Sequence, residues 1–190
     1  MRHYLQNYMT PAEFNLSENN VIFSGTRCIQ SMLNSMSSGD TAEGYIRCTV
    51  NDLKLNNKKH VKVNIDGLFV REPGSMLGFQ MWNSFHSKLW LPRYVDTTIP
   101  TSVDCWLPAY TGPALTGVAY DLRGNQECEF YLDYTQGFET TIRLGTDING
   151  SQTNLVECLG IRQSKNGVVT TADLSGSNSY NNGNVFKIRD

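Results

Sequence analysis

The sequence predicts an all-β fold, an antiparallel β-sandwich or a jelly-roll-like barrel. Charged residues make up only 18% and hydrophobic residues 39% of the 190-residue chain, which leaves an unusually large share of uncharged polar residues. Short stretches alternate apolar with polar residues, and turn residues separate them. A chain of this length fits one large domain.

The second half predicts a five-stranded antiparallel meander over about residues 115–173. Residues 128–134 and 138–144 both alternate apolar and polar positions, so each is expected to bury one face. Only residues 135–137 separate these two strands, which predicts a hairpin. Asn149-Gly150 and Asn166-Gly167 are expected to turn the chain between the later strands. The remaining three strands are expected in "LTGVAYDL", "NLVECLGIR" and "VVTTADL".

The first half predicts further strands and one short helix. Residues 44–50 and 60–65 alternate in the same way, and Asp66-Gly67 is expected to turn the chain after the second of them. In residues 26–39, apolar side chains recur at helical spacing, between a capping Thr26 and Gly39. These apolar residues are Ile29, Met32, Leu33 and Met36. No internal repeat is predicted.

Three segments are predicted on this basis. Residues 1–20 form an N-terminal arm that is expected to dock on a neighbouring subunit, and residues 21–174 form a single β-sandwich domain. Residues 175–190 form a polar C-terminal segment with few apolar residues, which is expected to be flexible or ordered by contact.

Charge and cysteine content exclude several classes of partner. Sixteen Lys and Arg against eighteen Asp and Glu give a net charge of -2, so neither nucleic acid nor a membrane is an expected partner. The lysines of the basic run over residues 54–62 are interpreted as residues that keep the protein soluble and prevent another strand from pairing with this edge.

Five widely spaced cysteines predict neither a disulfide framework nor a zinc site. No apolar run approaches the about 20 residues of a spanning helix, and residues 1–20 do not resemble a secretory signal.

The candidate binding residues are aromatic. Residues 78–94 concentrate five rings in a chain that is otherwise rich in Ser, Thr and Asn. Exposed rings of this kind suit stacking on a sugar or anchoring a subunit interface. The alternative is a loop whose rings plug one end of the sandwich. The candidate ligand or interface residues are Phe79, Trp82, Phe85, Trp90 and Tyr94.

Catalytic and metal-binding signals are weaker. Glu127 and Glu129 lie two apart on a strand, a spacing that suits the carboxylate pair of a glycosidase, but an outward, solvated acidic face is the favoured interpretation. Residues 147–151, "DINGS", lack the glycine and glutamate positions of an EF-hand. His3, His60 and His86 are far apart, and no nucleophile or phosphate-binding motif is present. No catalytic residue, metal or cofactor is therefore predicted.

The sequence favours a non-enzymatic structural or receptor-binding module of a virus or phage particle, such as a capsid, spike or tail accessory protein. The prediction rests on the charge-poor composition, the polar end segments and the absence of a signal segment or catalytic set. It places the protein in the virion after synthesis in a host cytoplasm. Its partners would be copies of itself, with a trimer as one candidate, other particle proteins, and a surface glycan. The alternatives are a lectin-like carbohydrate-binding β-sandwich and, with less support, a glycoside hydrolase.

Overall fold

The computed structural model describes residues 1–99, 114–146, 151, 153–162, 164–172 and 183–188. The Asn149-Gly150 turn and most of the C-terminal segment 175–190 lie outside the described residues. The helices are a 3₁₀ helix at Leu5–Tyr8, α1 at Pro11–Glu18 and α2 at Thr26–Ser35. The strands are β1 (Arg2–Tyr4), β2 (Phe23–Ser24), β3 (Thr41–Val50), β4 (Leu53–Lys54), β5 (Lys62–Arg71), β6 (Leu77–Gln80), β7 (Lys88–Leu91), β8 (Arg93–Val95), β9 (Thr116–Asp121), β10 (Glu129–Leu132), β11 (Thr135–Gln136), β12 (Phe138–Thr146), β13 (Leu155–Cys158), β14 (Ile161–Arg162), β15 (Asn166–Ala172) and β16 (Val185–Ile188).

These strands form two sheets, and within the described residues every strand pair is parallel. The first sheet has eleven strands and contains the order β14-β11-β8-β5-β7-β10-β13-β16; off this path, β3 pairs with β5, and β1 and β2 pair with β3. The second sheet has the order β15-β12-β9-β6-β4. The predicted antiparallel β-sandwich or jelly-roll-like barrel is therefore wrong.

The strand register shows that the chain winds as a parallel β-helix. Lys62 lies beside Lys88, Lys88 beside Glu129, Glu129 beside Leu155, and Leu155 beside Val185. Equivalent positions in successive coils are thus 26, 41, 26 and 30 residues apart in the sequence. Parallel sheets are typical of α/β folds, but here α1 and α2 precede the coils. Each coil instead stacks on the one before it, as in other solenoids.

The predicted five-stranded meander is also wrong, although its strands exist. β10 and β12, expected as a hairpin, lie in different sheets, and β11 between them pairs with β8 and β14. The link between β10 and β12 is therefore a corner of a coil. Asp66-Gly67 and Asn166-Gly167, expected as turns, both lie inside strands.

The core fills the inside of the coils. Val63, Leu89, Phe130 and Val156 occupy equivalent positions in successive coils, and all four are buried. Because the strands are parallel and in register, each inward side chain packs on its counterparts in the coils on either side. Apolar side chains at such positions supply the main favourable free energy of folding.

The predicted helix is confirmed as α2, but its N-cap is Gly25 and its C-cap is Met36, so the predicted caps Thr26 and Gly39 are wrong. Its residues Ile29, Met32 and Leu33, with Met36 just beyond it, are buried in the core. The helix contacts β3 and β4, which belong to the first coil. It therefore covers the apolar end of the stack, which a solenoid must shield from water. None of the helices in the described ranges is long and apolar enough to cross a membrane.

A second helix, α1, was not predicted, although its start carries a sequence signal. The Thr10 side chain accepts a hydrogen bond from the Glu13 backbone N–H, and the Glu13 carboxylate accepts one from the Thr10 N–H. This capping box, with Pro11 at the first helical position, is a recognised helix start.

Residues 1–20, predicted as an arm, take part in the fold. β1 pairs with β3, and Leu5 is buried in the core. His3 is also buried, with Nδ1 2.6 Å from the Tyr8 hydroxyl and Nε2 3.0 Å from Asp40 Oδ2. These contacts connect the first residues of the chain to the first coil.

The turn that leads into the first sheet repeats its backbone shape in every coil described. Five residues at equivalent positions have a positive φ between 50° and 68°. Only one of the five is glycine, although this region is costly for other residue types. They are His60, His86, Glu127, Thr153 and Gly183.

Polar side chains beside this turn connect one coil to the next. Ser84 Oγ accepts a hydrogen bond from the Lys58 N–H, and Asn125 Oδ1 accepts one from the Ser84 N–H. A second series lies three residues further along each coil, where Ser87, Asn154 and Asn184 accept hydrogen bonds from the backbone N–H groups of Val61, Cys128 and Asn154. These side chains bond backbone groups that would otherwise be buried without a partner.

A candidate ligand cleft on the second sheet

The outer face of the second sheet carries a row of polar side chains. Lys54, Gln80, Asp121 and Arg143 are neighbours on β4, β6, β9 and β12. They line a cleft of about 550 Å³, together with Trp82 and other residues. Outward positions of equivalent strands are brought together by the coil geometry, so residues as far apart in the sequence as Lys54 and Arg143 line one cleft.

Trp82 and Arg123 occupy equivalent positions in adjacent coils and form one wall of the cleft. The Arg123 guanidinium lies over the Trp82 ring, 4.4 Å from its centroid, a distance at which cation and ring attract each other. Arg123 also holds Asp121 with two hydrogen bonds, Nε to Oδ1 at 2.7 Å and Nη2 to Oδ2 at 2.8 Å. The Asp121 side chain is only 2% exposed. Ring, guanidinium and carboxylate are therefore fixed relative to one another.

Three polar groups at the cleft lack a hydrogen-bond partner among the described residues. Trp82 Nε1 and Asp52 Oδ1 are buried atoms without one. The Gln80 side chain is only 4% exposed, and no hydrogen bond of its amide is found in the described part of the chain. All three residues line the cleft. Buried polar groups in folded proteins are nearly always bonded, so this concentration indicates a place for a hydrogen-bonding ligand.

The structure separates the five predicted aromatic residues. Phe79 and Tyr94 are buried in the core, where the Tyr94 ring packs against neighbouring rings. Phe85 is half-buried at a turn, with Lys59 Nζ 5.6 Å from its ring centroid. Trp82 is half-buried at the cleft, and Trp90 is half-buried on the first sheet. Of the five, only Trp82 lines the cleft.

Trp90 belongs to a separate groove of about 310 Å³, which Asn64, Tyr131 and Glu157 also line. Its ring stacks on the Tyr131 ring of the next coil, with centroids 5.1 Å apart and an interplanar angle of 6°. Each of these rings therefore covers one face of the other, as Arg123 covers one face of Trp82.

Glu127 and Glu129, the candidate glycosidase pair, are both engaged elsewhere. Glu127 lies 2.8 Å from His86 Nδ1 and is 60% exposed. Glu129 accepts hydrogen bonds from Lys88 and from the Tyr131 hydroxyl, and these bonds lower the pKa of its carboxyl. A glycosidase general acid needs a raised pKa, so this arrangement does not fit the role.

Four of the cysteines are buried free thiols, namely Cys28, Cys48, Cys128 and Cys158. Burial raises the pKa of the Cys28 and Cys128 thiols to about 11, which is the opposite of the shift that activates a nucleophile. In the described ranges, no group of three or more His, Cys, Asp and Glu residues could hold a metal ion.

The sequence reasoning missed Asp52, Gln80, Asp121 and Arg123 as site residues. One signal was present: Asn-x-x-His-x-Lys occurs at residues 57–62 and again at 83–88. This repeat has the 26-residue spacing of the coil. Aligning the chain with itself on this repeat is enough to place Lys54 beside Gln80.

Comparisons of the chain with protein-family models, with curated proteins and with solved structures found no match.

Proposed function

We propose that this chain is a non-enzymatic binding module that holds a saccharide in the cleft beside Trp82, as a receptor-binding part of a virus or phage particle. The observation that carries the proposal is the pair of buried, unpartnered polar atoms Asp52 Oδ1 and Trp82 Nε1 at one cleft, beside the Gln80 amide, for which no hydrogen bond is found among the described residues. A ligand that bonds them would remove the free-energy penalty of leaving them unpaired.

A saccharide matches these groups in chemistry. The Trp82 N–H needs an acceptor, the Asp52 carboxylate oxygen needs a donor, and the Gln80 amide can bond both. A sugar hydroxyl is a donor and an acceptor at once. The indole also supplies apolar surface at the cleft. Arg123 lies over one face of the ring, and the C–H groups of a sugar ring would pack against the part of the indole that Arg123 leaves uncovered. Because Arg123 and Asp121 already hold each other, little ordering would be needed on binding.

The proposal predicts that Trp82→Ala removes saccharide binding. The wild-type chain should bind at least one member of a printed glycan panel, with the affinity then measured by isothermal titration calorimetry. Trp82→Ala and Gln80→Ala should each weaken that binding about tenfold or more, since each removes a contact to the ligand. Trp90→Ala, on the other sheet, is the matched control and should bind as the wild type does.

Two outcomes would contradict the proposal. One is that no glycan on the panel binds, and the other is that Trp90→Ala weakens binding while Trp82→Ala and Gln80→Ala do not. Thermal unfolding shows whether Trp82→Ala is folded, and an unfolded variant would not report on binding. Gln80→Ala then serves as the second variant, because it leaves the Trp82–Arg123 contact intact.

The role in a particle implies assembly, and we propose that copies of the chain associate, with a trimer as the first candidate. The charge-poor composition and the polar C-terminal sequence support this idea. Light scattering after size exclusion over a wide concentration range is expected to give the mass of a closed oligomer. A mass of 21.4 kDa at every concentration would contradict self-assembly and leave the saccharide proposal standing.

A further inference from the structure

Arg143 is a cation at the cleft without a hydrogen-bonded partner in the described part of the chain. It lies on β12 next to Asp121, and its side chain is 34% exposed. The shortest approach, from Arg143 Nη1 to Asp121 Oδ2, is 3.8 Å, which is too long for a hydrogen bond. Both oxygens of Asp121 already accept hydrogen bonds from Arg123. Within the described residues, the Arg143 guanidinium therefore lies near the Asp121 carboxylate but donates no hydrogen bond to it.

The other charged side chains that line the cleft are already matched. Lys54 Nζ lies 2.8 Å from Asp52 Oδ2, and Glu139 Oε1 lies 3.3 Å from Lys165 Nζ. Among the described residues, Lys165 lies outside the cleft lining but offsets the charge of Glu139. With these pairs and the Arg123–Asp121 pair matched, the one charge at the described lining that is left without its own partner is the positive charge of Arg143. A ligand that fits the cleft is therefore expected to bring one negative charge.

We infer that the saccharide carries a carboxylate, which Arg143 binds through its two terminal nitrogens. The inference rests on the proposed function and names its ligand class. A planar guanidinium forms two parallel hydrogen bonds with a planar carboxylate, and such charge-assisted pairs are stronger than neutral hydrogen bonds. Trp82 and Gln80 line the same cleft, so the acidic sugar would contact all three side chains.

Matched saccharide pairs test the inference. Sialyllactose is compared with lactose, and a hyaluronan tetrasaccharide with chitotetraose, by isothermal titration calorimetry. At least one carboxylated member is expected to bind about tenfold or more tightly than its neutral partner. Arg143→Gln should abolish this preference and keep the weaker affinity for the neutral member. Arg143→Lys keeps the positive charge but loses the planar pair of N–H donors, so its preference for the carboxylated saccharide should be reduced. Arg162→Gln, on the first sheet, should change nothing.

Several results would overturn the inference, and they separate it from the proposed function. If the neutral members bind as tightly as the carboxylated ones, or if Arg143→Gln keeps the preference, the carboxylate assignment is wrong and saccharide binding stands. Tighter binding of lactose sulfate than of sialyllactose would also overturn it. If no saccharide binds, the proposed function fails and the inference fails with it. Thermal unfolding of Arg143→Gln verifies that the variant is folded.

Discussion

Arg71→Met is expected to destabilise the chain by about 3–5 kcal/mol, because it leaves a buried carboxylate without its cation. Arg71 is buried, and its Nη1 donates to Asp96 Oδ2 at 2.9 Å. Its guanidinium also donates to the backbone carbonyls of Ser75 and Thr116. It thereby links the corner after β5 to the start of β9, and the variant would leave all of these acceptors unpaired.

Urea unfolding followed by circular dichroism measures this effect. Lys165→Met is the matched control, because it breaks an ion pair whose side chains are 66% and 42% exposed; its effect should stay within about 0.5 kcal/mol. Adding Asp96→Leu to Arg71→Met should recover part of the lost stability, because it removes the unpaired charge. An Arg71→Met variant as stable as the control would show that the buried ion pair is absent.

Asn154→Ala is expected to cost about 3 kcal/mol or more, because the lost amide leaves several buried groups without a partner. Asn154 is 1% exposed. Its Oδ1 accepts from the Cys128 N–H at 3.0 Å, and its Nδ2 donates to the Asn125 carbonyl at 2.8 Å and to Asn184 Oδ1 at 2.9 Å. The side chain thus joins three consecutive coils.

Asn64→Ala is the control for this variant. It makes the same change at an exposed position on the outer face of β5, where the expected effect is within about 0.5 kcal/mol. Both free energies of unfolding come from urea titrations. Equal stability of the two variants would contradict the hydrogen-bonded series between coils, and with it the parallel register in this region.

The positions of many strands could be predicted from the sequence. The alternation in residues 128–134 correctly indicated β10, and that in residues 138–144 indicated β12. The helical spacing from Ile29 to Met36 correctly indicated α2. Such patterns show which side of an element is buried, because burial selects apolar side chains at its own period.

The pairing of these strands could not be predicted in the same way. An inward–outward alternation is the same for a parallel and an antiparallel strand, so a short link such as residues 135–137 was interpreted as a hairpin. The coil repeat that would have corrected this is interrupted, since the step from β7 to β10 is 41 residues while the steps before and after it are 26. A period search fails when one coil is this much longer.

Only part of the candidate site was predicted for a related reason. Trp82 was noticed because tryptophan is rare and locally concentrated. Asp121 and Arg123 are ordinary residue types, and their importance comes from lying one coil away from Gln80 and Trp82. Phe79 and Tyr94 were grouped with Trp82 by sequence proximity, but the strand alternation directs them into the core.

The number of stacked coils also sets the length of the molecule. Neighbouring strands in a sheet lie about 4.8 Å apart, so each complete circuit of the chain, here as short as 26 residues, lengthens the body by about that step. The step of 41 residues leaves the register of β7 and β10 in place, so residues can be added within a circuit without a change in the stacking of the strands. In this architecture, the length of the body therefore changes by whole circuits, whereas the number of residues within one circuit can change by single residues.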